Sequence, residues 1–394
     1  MRVNHSARES AAPGDRQYIA ALTGMRGVAA ILVFLYHYEA LHPGIRLDLA
    51  VPLIGRILQF PLGFGFAGVD IFFVLSGFLL TLPFARAALG NEQGPQLSRY
   101  FNRRFLRVFP AYYAQLFVIL AVGGWFVTWT PQTVTTFIAH MLMFFNIGWN
   151  PVKPVVGVWW TLPVEMGFYL LLPLLAPFMR PRRWIPVLVG GLILSMVYRS
   201  WAAAHFGPLL GGEHVFLTAS QLPGSITEFL LGASAALLVE FTSLNDRPRP
   251  AVWKLDLLFV LGLLIPAVWL WQVVLSAGAE YWMGHWGMIV APLALGLPLS
   301  MAVLGLYWGS PMGAFLLANR VVYFLGLISY SLYLWHFVVM QQIRHLIGDA
   351  YGSLPHWVTF PLAAVAVIAV ASASYYLVER PFYRLRSYRQ LKGD

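Results

Sequence analysis

The amino-acid sequence predicts an all-α membrane protein: a polytopic bundle of about ten transmembrane helices with both termini in the cytoplasm. The chain of 394 residues is 59% hydrophobic and only 11% charged, against about 25% charged residues in soluble domains. Its apolar residues occur in runs of roughly 20, the length that crosses about 30 Å of hydrocarbon as a helix. Most of its 26 basic residues fall in alternate connecting segments, which is typical of a multi-pass protein of the inner (cytoplasmic) membrane.

The predicted spans follow one another with short connections. They cover residues 18–41, 63–85, 107–128, 157–179, 184–204, 215–241, 255–277, 284–308, 316–340 and 357–379. A further apolar stretch at 132–148 is shorter and leads into a polar segment, so we interpret it as re-entrant or interfacial. Counting it as a full span would place the basic residues after the fourth span on the outer side of the membrane.

These spans divide the chain into a polar cytoplasmic tail (1–17), a membrane domain (18–379) and a basic cytoplasmic tail (380–394). The first tail lacks the continuous apolar core of a signal peptide. The chain contains no cysteine, which excludes disulfides and cysteine nucleophiles. The net charge of +10 follows from basic residues at the cytoplasmic face, so we expect contact with membrane lipid and no nucleic-acid partner.

Titratable side chains inside the apolar spans are costly to bury and usually functional. Arg26 lies in the first span, and His37 follows three helical turns later, about 16 Å along the helix and on nearly the same face. Asp70, Glu165 and His336 lie in three other spans at a depth similar to that of His37. An imidazole beside a carboxylate makes a good general base, so we predict a catalytic group of His37, Arg26, Asp70 and Glu165. Helix packing is the alternative role for both histidines.

The densest basic cluster is formed by Arg103, Arg104 and Arg107, which share one side of a predicted helix start. Guanidinium groups bind phosphates bidentately, so the cluster indicates a binding site for a phosphorylated donor at the cytoplasmic face. Anchoring to lipid head groups is the alternative. The spacing of the ten histidines is not that of a metal site, and we expect neither a metal nor a bound cofactor.

Six stretches of the chain carry a family resemblance. They are LTGMRGVAAILVFLYH (22–37), GVDIFFVLSGFLL (68–80), RRFLRVFPAYY (103–113), WWTLPVEMGFYLLLPLL (159–175), ISYSLYLWH (328–336) and YYLVERPFYRL (375–385). In this order they resemble the acyltransferase-3 family of integral membrane O-acyltransferases. The resemblance implies transfer of an acyl group, usually acetyl, from acyl-coenzyme A to a hydroxyl.

The resemblance also implies roles for individual residues. Arg26 and His37 match the functionally essential pair of the family's first helix, Arg104 and Arg107 match its R-x-x-R motif, and Glu165 matches the glutamate of its fourth span. We therefore expect acetyl-CoA as the donor substrate, held by the arginine cluster. We expect the acceptor to be a carbohydrate, such as an exopolysaccharide or a lipid-linked sugar. The residues that we predict on the acceptor side are Trp160, His336 and Glu228.

Several alternatives stay open at the level of sequence. Arg26 either orients the pantetheine arm or polarises the thioester carbonyl, with Asp70 or Glu165 orienting His37. His37 either deprotonates the acceptor hydroxyl or carries the acyl group itself. The acceptor is alternatively a macrolide or another small secreted product. A membrane transporter, which forms no bond, is the alternative of another class.

Overall fold

The computed structural model describes residues 13–42, 62–90, 93–123, 130–149, 151–245 and 250–383. None of these residues forms a β-strand. The helices are α1 (Pro13–Leu41), α2 (Gly68–Gly90), α3 (Leu97–Val122), α4 (Pro131–Met141), α5 (Thr161–Leu175), α6 (Pro181–Leu210), α7 (Gly212–Ala219), α8 (Leu222–Leu244), α9 (Val252–Ala277), α10 (Trp286–Trp308), α11 (Pro311–Leu317), α12 (Arg320–Leu327), α13 (Ser329–Ile347) and α14 (His356–Ser374). Short 3₁₀ turns connect some of them, and a π-helical turn, Tyr375–Glu379, extends α14.

Nine segments of the described chain are long and apolar enough to cross a membrane. They are Ile19–Leu41, Leu62–Gly90, Leu97–Val122, Gly157–Phe178, Pro181–Gly207, Leu222–Leu244, Val252–Met283, Trp286–Trp308 and His356–Tyr383. Each overlaps one predicted span, which confirms the helical multi-pass architecture. The cytoplasmic location of the termini stays a prediction, and residues 1–12 and 384–394 of the predicted tails lie outside the described ranges.

The tenth predicted span, 316–340, is not one continuous helix. It begins at the end of α11 and runs through α12 into α13, and the axes of these last two helices differ by 75°. The Asn319 side chain caps α12 by accepting a hydrogen bond from the backbone N–H of Val322 at 3.0 Å. Taken together, Arg320–Leu327 and Ser329–Ile347 make a tenth crossing segment with a bend in it. Hydropathy measures only apolar length, so it did not reveal this bend.

The third span also starts earlier than its predicted boundary at residue 107. The α3 helix begins at Leu97, so Arg103, Arg104 and Arg107 lie within the helix and not at its start. The prediction was wrong here because the apolar run begins later than the helix that contains it. The stretch 132–148 contains only the 11-residue helix α4, which is shorter than the about 20 residues that a span needs.

Two glycines let α2 and α8 pack with their backbones in contact. A Cβ atom at Gly77 would lie 2.2 Å from the carbonyl oxygen of Phe229, and one at Gly232 would lie 2.1 Å from that of Val74. Small residues at helix interfaces are the usual means of close approach inside membranes. The contact therefore fixes the position of these two helices relative to each other.

Gly77→Ala is expected to lower the free energy of unfolding by about 1–3 kcal/mol, because the added methyl group must push α2 and α8 apart. Gly190→Ala on α6 is the matched control, since a Cβ there has no atom within 4 Å. Thermal unfolding of the purified protein in detergent measures both variants. An unchanged midpoint for Gly77→Ala would contradict the close packing of the two helices.

Candidate active site

Two histidines from α1 and α13 form a hydrogen-bonded pair. Nδ1 of His336 lies 2.7 Å from the carbonyl oxygen of Tyr333 and 3.2 Å from that of Leu332. Carbonyl oxygens only accept, so Nδ1 carries the hydrogen and Nε2 of the neutral ring is an acceptor. Nδ1 of His37 lies 3.3 Å from this Nε2 and 2.8 Å from the carbonyl oxygen of Val33, so it also carries its hydrogen. The pair thus leaves Nε2 of His37 as the free basic nitrogen.

The part of α13 that holds the second imidazole is fixed by hydrogen bonds to other elements. The hydroxyl of Tyr333 donates to the carbonyl oxygen of Val158 at 2.6 Å and lies 2.9 Å from the hydroxyl of Thr161. On the next residue of α13, the carbonyl oxygen of Leu334 accepts a 2.6 Å hydrogen bond from the side chain of Gln115. Because these residues are buried, the bonds tie α13 to α3 and α5 and orient the histidine pair.

Neither carboxylate that was expected to orient His37 hydrogen-bonds to it in the described structure. The carboxyl group of Asp70 is hydrogen-bonded to that of Glu228. Glu165 accepts its hydrogen bonds from Ser76 and Tyr169. The predicted orienting contact is therefore wrong, and His336 takes that place. The sequence predicts that His37, Asp70 and Glu165 lie at a similar depth in separate helices. Which side chains meet depends also on how each helix is rotated about its axis.

Glu165 is held by two hydroxyl groups. Ser76 on α2 donates to its Oε1 at 2.9 Å, and Tyr169, one turn further along α5, donates to the same oxygen at 2.5 Å. Hydrogen bonds from hydroxyls to a carboxylate are of the stronger, charge-assisted kind. The carboxylate thereby provides a fixed negative charge between α2 and α5.

Three arginines gather around this carboxylate, and we call Arg26, Arg104 and Arg107 the guanidinium cluster. Glu165 attracts each of the three electrostatically, while Arg107 repels the other two. None of the three donates a hydrogen bond to a described residue, and the Nε atom of Arg104 is buried without an acceptor. Arg103 makes no hydrogen bond, ion pair or ring contact within the described ranges. The cluster thus combines excess positive charge with unused N–H donors, which suits an anion.

A cavity of about 510 Å³, here called the large cavity, is lined by His37. Four of the predicted residues line it: His37, Asp70, Trp160 and Glu228. His336 lies behind His37 and is fully buried. The cavity therefore brings together the histidine and most of the residues expected on the acceptor side.

A second cavity of about 40 Å³, the small cavity, is lined by Arg26 and Glu165. It has room for a few water molecules. The two cavities share three lining residues, Val69, Phe73 and Tyr333, which form a thin wall between them. Arg26 of the guanidinium cluster and His37 thus line two neighbouring cavities that are separated by this wall.

Two further charged residues belong to the site, although no sequence motif indicated them. Arg199 lies in the predicted span 184–204 and lines the large cavity, so its burial among apolar residues was the available signal. Glu379 accepts hydrogen bonds from the hydroxyls of Ser331 and Tyr383 and attracts Arg107. It ends the last predicted span, and nothing in its spacing indicated that it faces the arginines.

The family model described as "Acyltransferase domain" matches residues 19–376 of the chain. Nodulation protein 10 of Rhizobium leguminosarum bv. viciae is 27% identical over 376 residues, which cover 86% of this chain and 88% of that protein. The O-acetyltransferase OatA of Staphylococcus aureus (strain NCTC 8325 / PS 47) is 25% identical over 387 residues, or 93% of this chain.

The putative peptidoglycan O-acetyltransferase YrhL of Bacillus subtilis (strain 168) is 25% identical over 398 aligned residues, again 93% of this chain. The chain spans little more than half the length of these two relatives, 57% of OatA and 55% of YrhL. No solved structure gives a significant match.

Inorganic diphosphate is expected to raise the thermal unfolding midpoint of the purified protein, because it binds the unused donors of the guanidinium cluster in the folded state. A ligand at a hundred times its Kd stabilises by about 2.7 kcal/mol. Arg107→Gln should remove most of this shift, whereas Arg320→Gln, at an exposed position of α12, should retain it. Equal shifts in both variants would place diphosphate elsewhere.

Proposed function

Because the chain belongs to the acyltransferase-3 family, we propose that it transfers an acyl group, in the first place acetyl, from acyl-coenzyme A to a carbohydrate hydroxyl. The resemblance found in the sequence is thereby confirmed, and family membership favours bond formation over the transporter alternative. One observation carries the proposal: His37, whose Nε2 makes no hydrogen bond to a described residue, lines the large cavity, and Arg26 of the guanidinium cluster lines the small cavity on the other side of the shared wall.

The donor binds, in this proposal, with its nucleotide phosphates on the guanidinium cluster at the cytoplasmic face. Arg104 lies between the rings of Tyr100 and Tyr169, with its Cζ atom 5.8 and 5.9 Å from their centres. These contacts hold the guanidinium plane in one orientation before a ligand arrives, which favours bidentate contact with a phosphate. Arg26, further along the path to His37, meets the pantetheine arm and the thioester.

The chemical step joins groups from both sides of the wall. Nε2 of His37 takes the proton of the acceptor hydroxyl while the hydroxyl oxygen attacks the thioester carbonyl carbon. A C–O bond forms and the C–S bond breaks, and coenzyme A leaves as a thiolate that takes a proton from water. Arg26 stabilises the negative charge that develops on the carbonyl oxygen. His336 holds the tautomer that keeps Nε2 of His37 free.

The thioester must pass the wall of Val69, Phe73 and Tyr333, since the small cavity of about 40 Å³ is too narrow for a pantetheine arm. The wall is one side chain thick, because the same three residues line both cavities. A shift of these side chains therefore connects the guanidinium cluster with His37, and the acyl group needs no separate carrier.

The large cavity suits a sugar acceptor. Aromatic rings, among them Trp160, Tyr281 and Trp282, line it together with Asp70, Arg199 and Glu228, and such mixtures recognise the faces and hydroxyls of sugars. One relative is named a putative peptidoglycan O-acetyltransferase, which also favours a carbohydrate acceptor for this chain.

His37→Ala is expected to lower acyl transfer by about 10²- to 10⁴-fold, because the general base is lost. His345→Ala, an exposed histidine of α13, is the control and should keep full activity. Thiol release from acetyl-CoA by the purified protein and the acetyl mass on surface glycans of expressing cells measure the effect. Full transfer by a folded His37→Ala variant would exclude this mechanism.

Arg104→Gln is expected to raise KM for acetyl-CoA about 10-fold or more while leaving KM for acetyl-pantetheine, which lacks the nucleotide phosphates, nearly unchanged. Arg103→Gln is the matched control, since Arg103 makes no hydrogen bond, ion pair or ring contact within the described ranges. Steady-state kinetics with the two donors separate phosphate binding from lipid anchoring. Equal effects on both donors would assign Arg104 to another task.

A further inference from the structure

Two carboxyl groups meet in the wall of the large cavity. Asp70, in the first turn of α2, and Glu228, on α8, hydrogen-bond each other through their side chains. Two carboxylates only accept hydrogen bonds, so a bonded pair of carboxyl groups holds at least one shared proton. The Oε2 atom of Glu228 is buried and meets no donor from the described residues, which fits the protonated member of the pair.

Arg199 on α6 balances the remaining negative charge of this carboxyl pair. Its Nε donates to the carbonyl oxygen of Gly224, and its Nη1 donates to that of Met288, each at 2.8 Å. These bonds hold the buried guanidinium in place, and it attracts both carboxyl groups. One carboxylate, one carboxylic acid and one guanidinium thus form a neutral group.

Few other titratable groups face the pair. Tyr281, in the turn after α9, interacts electrostatically with both carboxyls and with Arg199. On the remaining sides of the large cavity, His37 comes from α1 and Glu213 from α7. Glu213 is paired with Lys153 at 3.2 Å. Tyr36 and Tyr333 also line the cavity, but phenol hydroxyls stay protonated near neutral pH. Among the described residues that line this cavity, His37 is therefore the group that can exchange a proton with the pair near neutral pH.

The proposed transfer reaction creates a need for such an exchange. The acceptor loses its proton in the large cavity, whereas the thiolate leaves on the other side of the wall and takes its proton there. His37 is left protonated after each turnover and must lose this proton before it can act again. We propose that the Asp70–Glu228 pair takes the proton from His37 through water in the large cavity.

The step balances in protons and charge. The Nε2–H bond of the His37 imidazolium breaks, and an O–H bond forms on the carboxylate of the pair, which becomes two carboxylic acids. The pair then returns one proton to water in the cavity and is again singly protonated. This inference rests on the proposed function, because it supplies the proton acceptor that the base needs.

The test compares kcat of three variants with acetyl-CoA as donor and a peptidoglycan disaccharide as acceptor, at rising concentrations of imidazole or formate buffer. The double variant Asp70→Asn/Glu228→Gln is expected to lose about 10²-fold in kcat and to regain most of it as the buffer rises. Glu228→Gln alone keeps the carboxyl group of Asp70, so it should lose less kcat than the double variant and depend less on added buffer. Glu240→Gln, on the same helix but paired with Arg86 at 2.9 Å, is the control.

Three results would overturn the inference. The double variant could keep full kcat without buffer, its loss could resist every buffer, or its defect could lie in KM for the acceptor alone. The last two would make the pair a structural or binding element. If the double variant does not fold, Asp70→Asn carries the same test. Absence of transfer by the unmodified protein would instead refute the proposed function, so the two failures are distinguishable.

Discussion

A charged side chain inside a bundle of apolar helices needs compensation from the protein itself, and this constraint determines where the site lies. Arg199 is compensated by two backbone carbonyls and by a carboxyl pair that carries one negative charge. Arg26, Arg104 and Arg107 have only the carboxylates of Glu165 and Glu379 near them among the described residues, and they have no hydrogen-bond acceptor there. The group around Arg199 is therefore electrically neutral, whereas the guanidinium cluster has excess positive charge and unused N–H donors.

The wall between the cavities connects these two arrangements to the histidine pair. Tyr333 lines both cavities, and its hydroxyl fixes α13 through Val158 and Thr161. Its carbonyl oxygen also receives the hydrogen bond that sets the tautomer of His336. In the proposed mechanism, Tyr333 therefore limits the path of the donor and also orients the histidine pair. Movement of this wall and alignment of His37 are then linked through the backbone of α13.

The sequence indicates which titratable residues lie inside the spans, but it does not indicate how each helix is rotated about its axis. Apolar length and the cost of buried charge singled out His37, His336 and Glu165 inside predicted spans. In the structure, His37 hydrogen-bonds His336, and Glu165 lies beside the guanidinium cluster. The partners were not predictable, because a hydropathy pattern does not fix how each helix turns about its axis. The same limit explains the bend between α12 and α13 and the inward position of Arg199, whose location inside a span was visible but whose neighbours were not.

The close contact between α2 and α8 fixes how these two helices are rotated about their own axes, and thereby which of their side chains meet. Asp70 precedes Gly77 by about two helical turns and Glu228 precedes Gly232 by about one, so each carboxyl lies on the same face as its glycine. Because the backbones touch at these glycines, both faces point toward the partner helix, and the carboxyl groups next to the large cavity have to meet. The close packing at Gly77 and Gly232 thus brings the carboxyl groups of Asp70 and Glu228 within hydrogen-bonding distance.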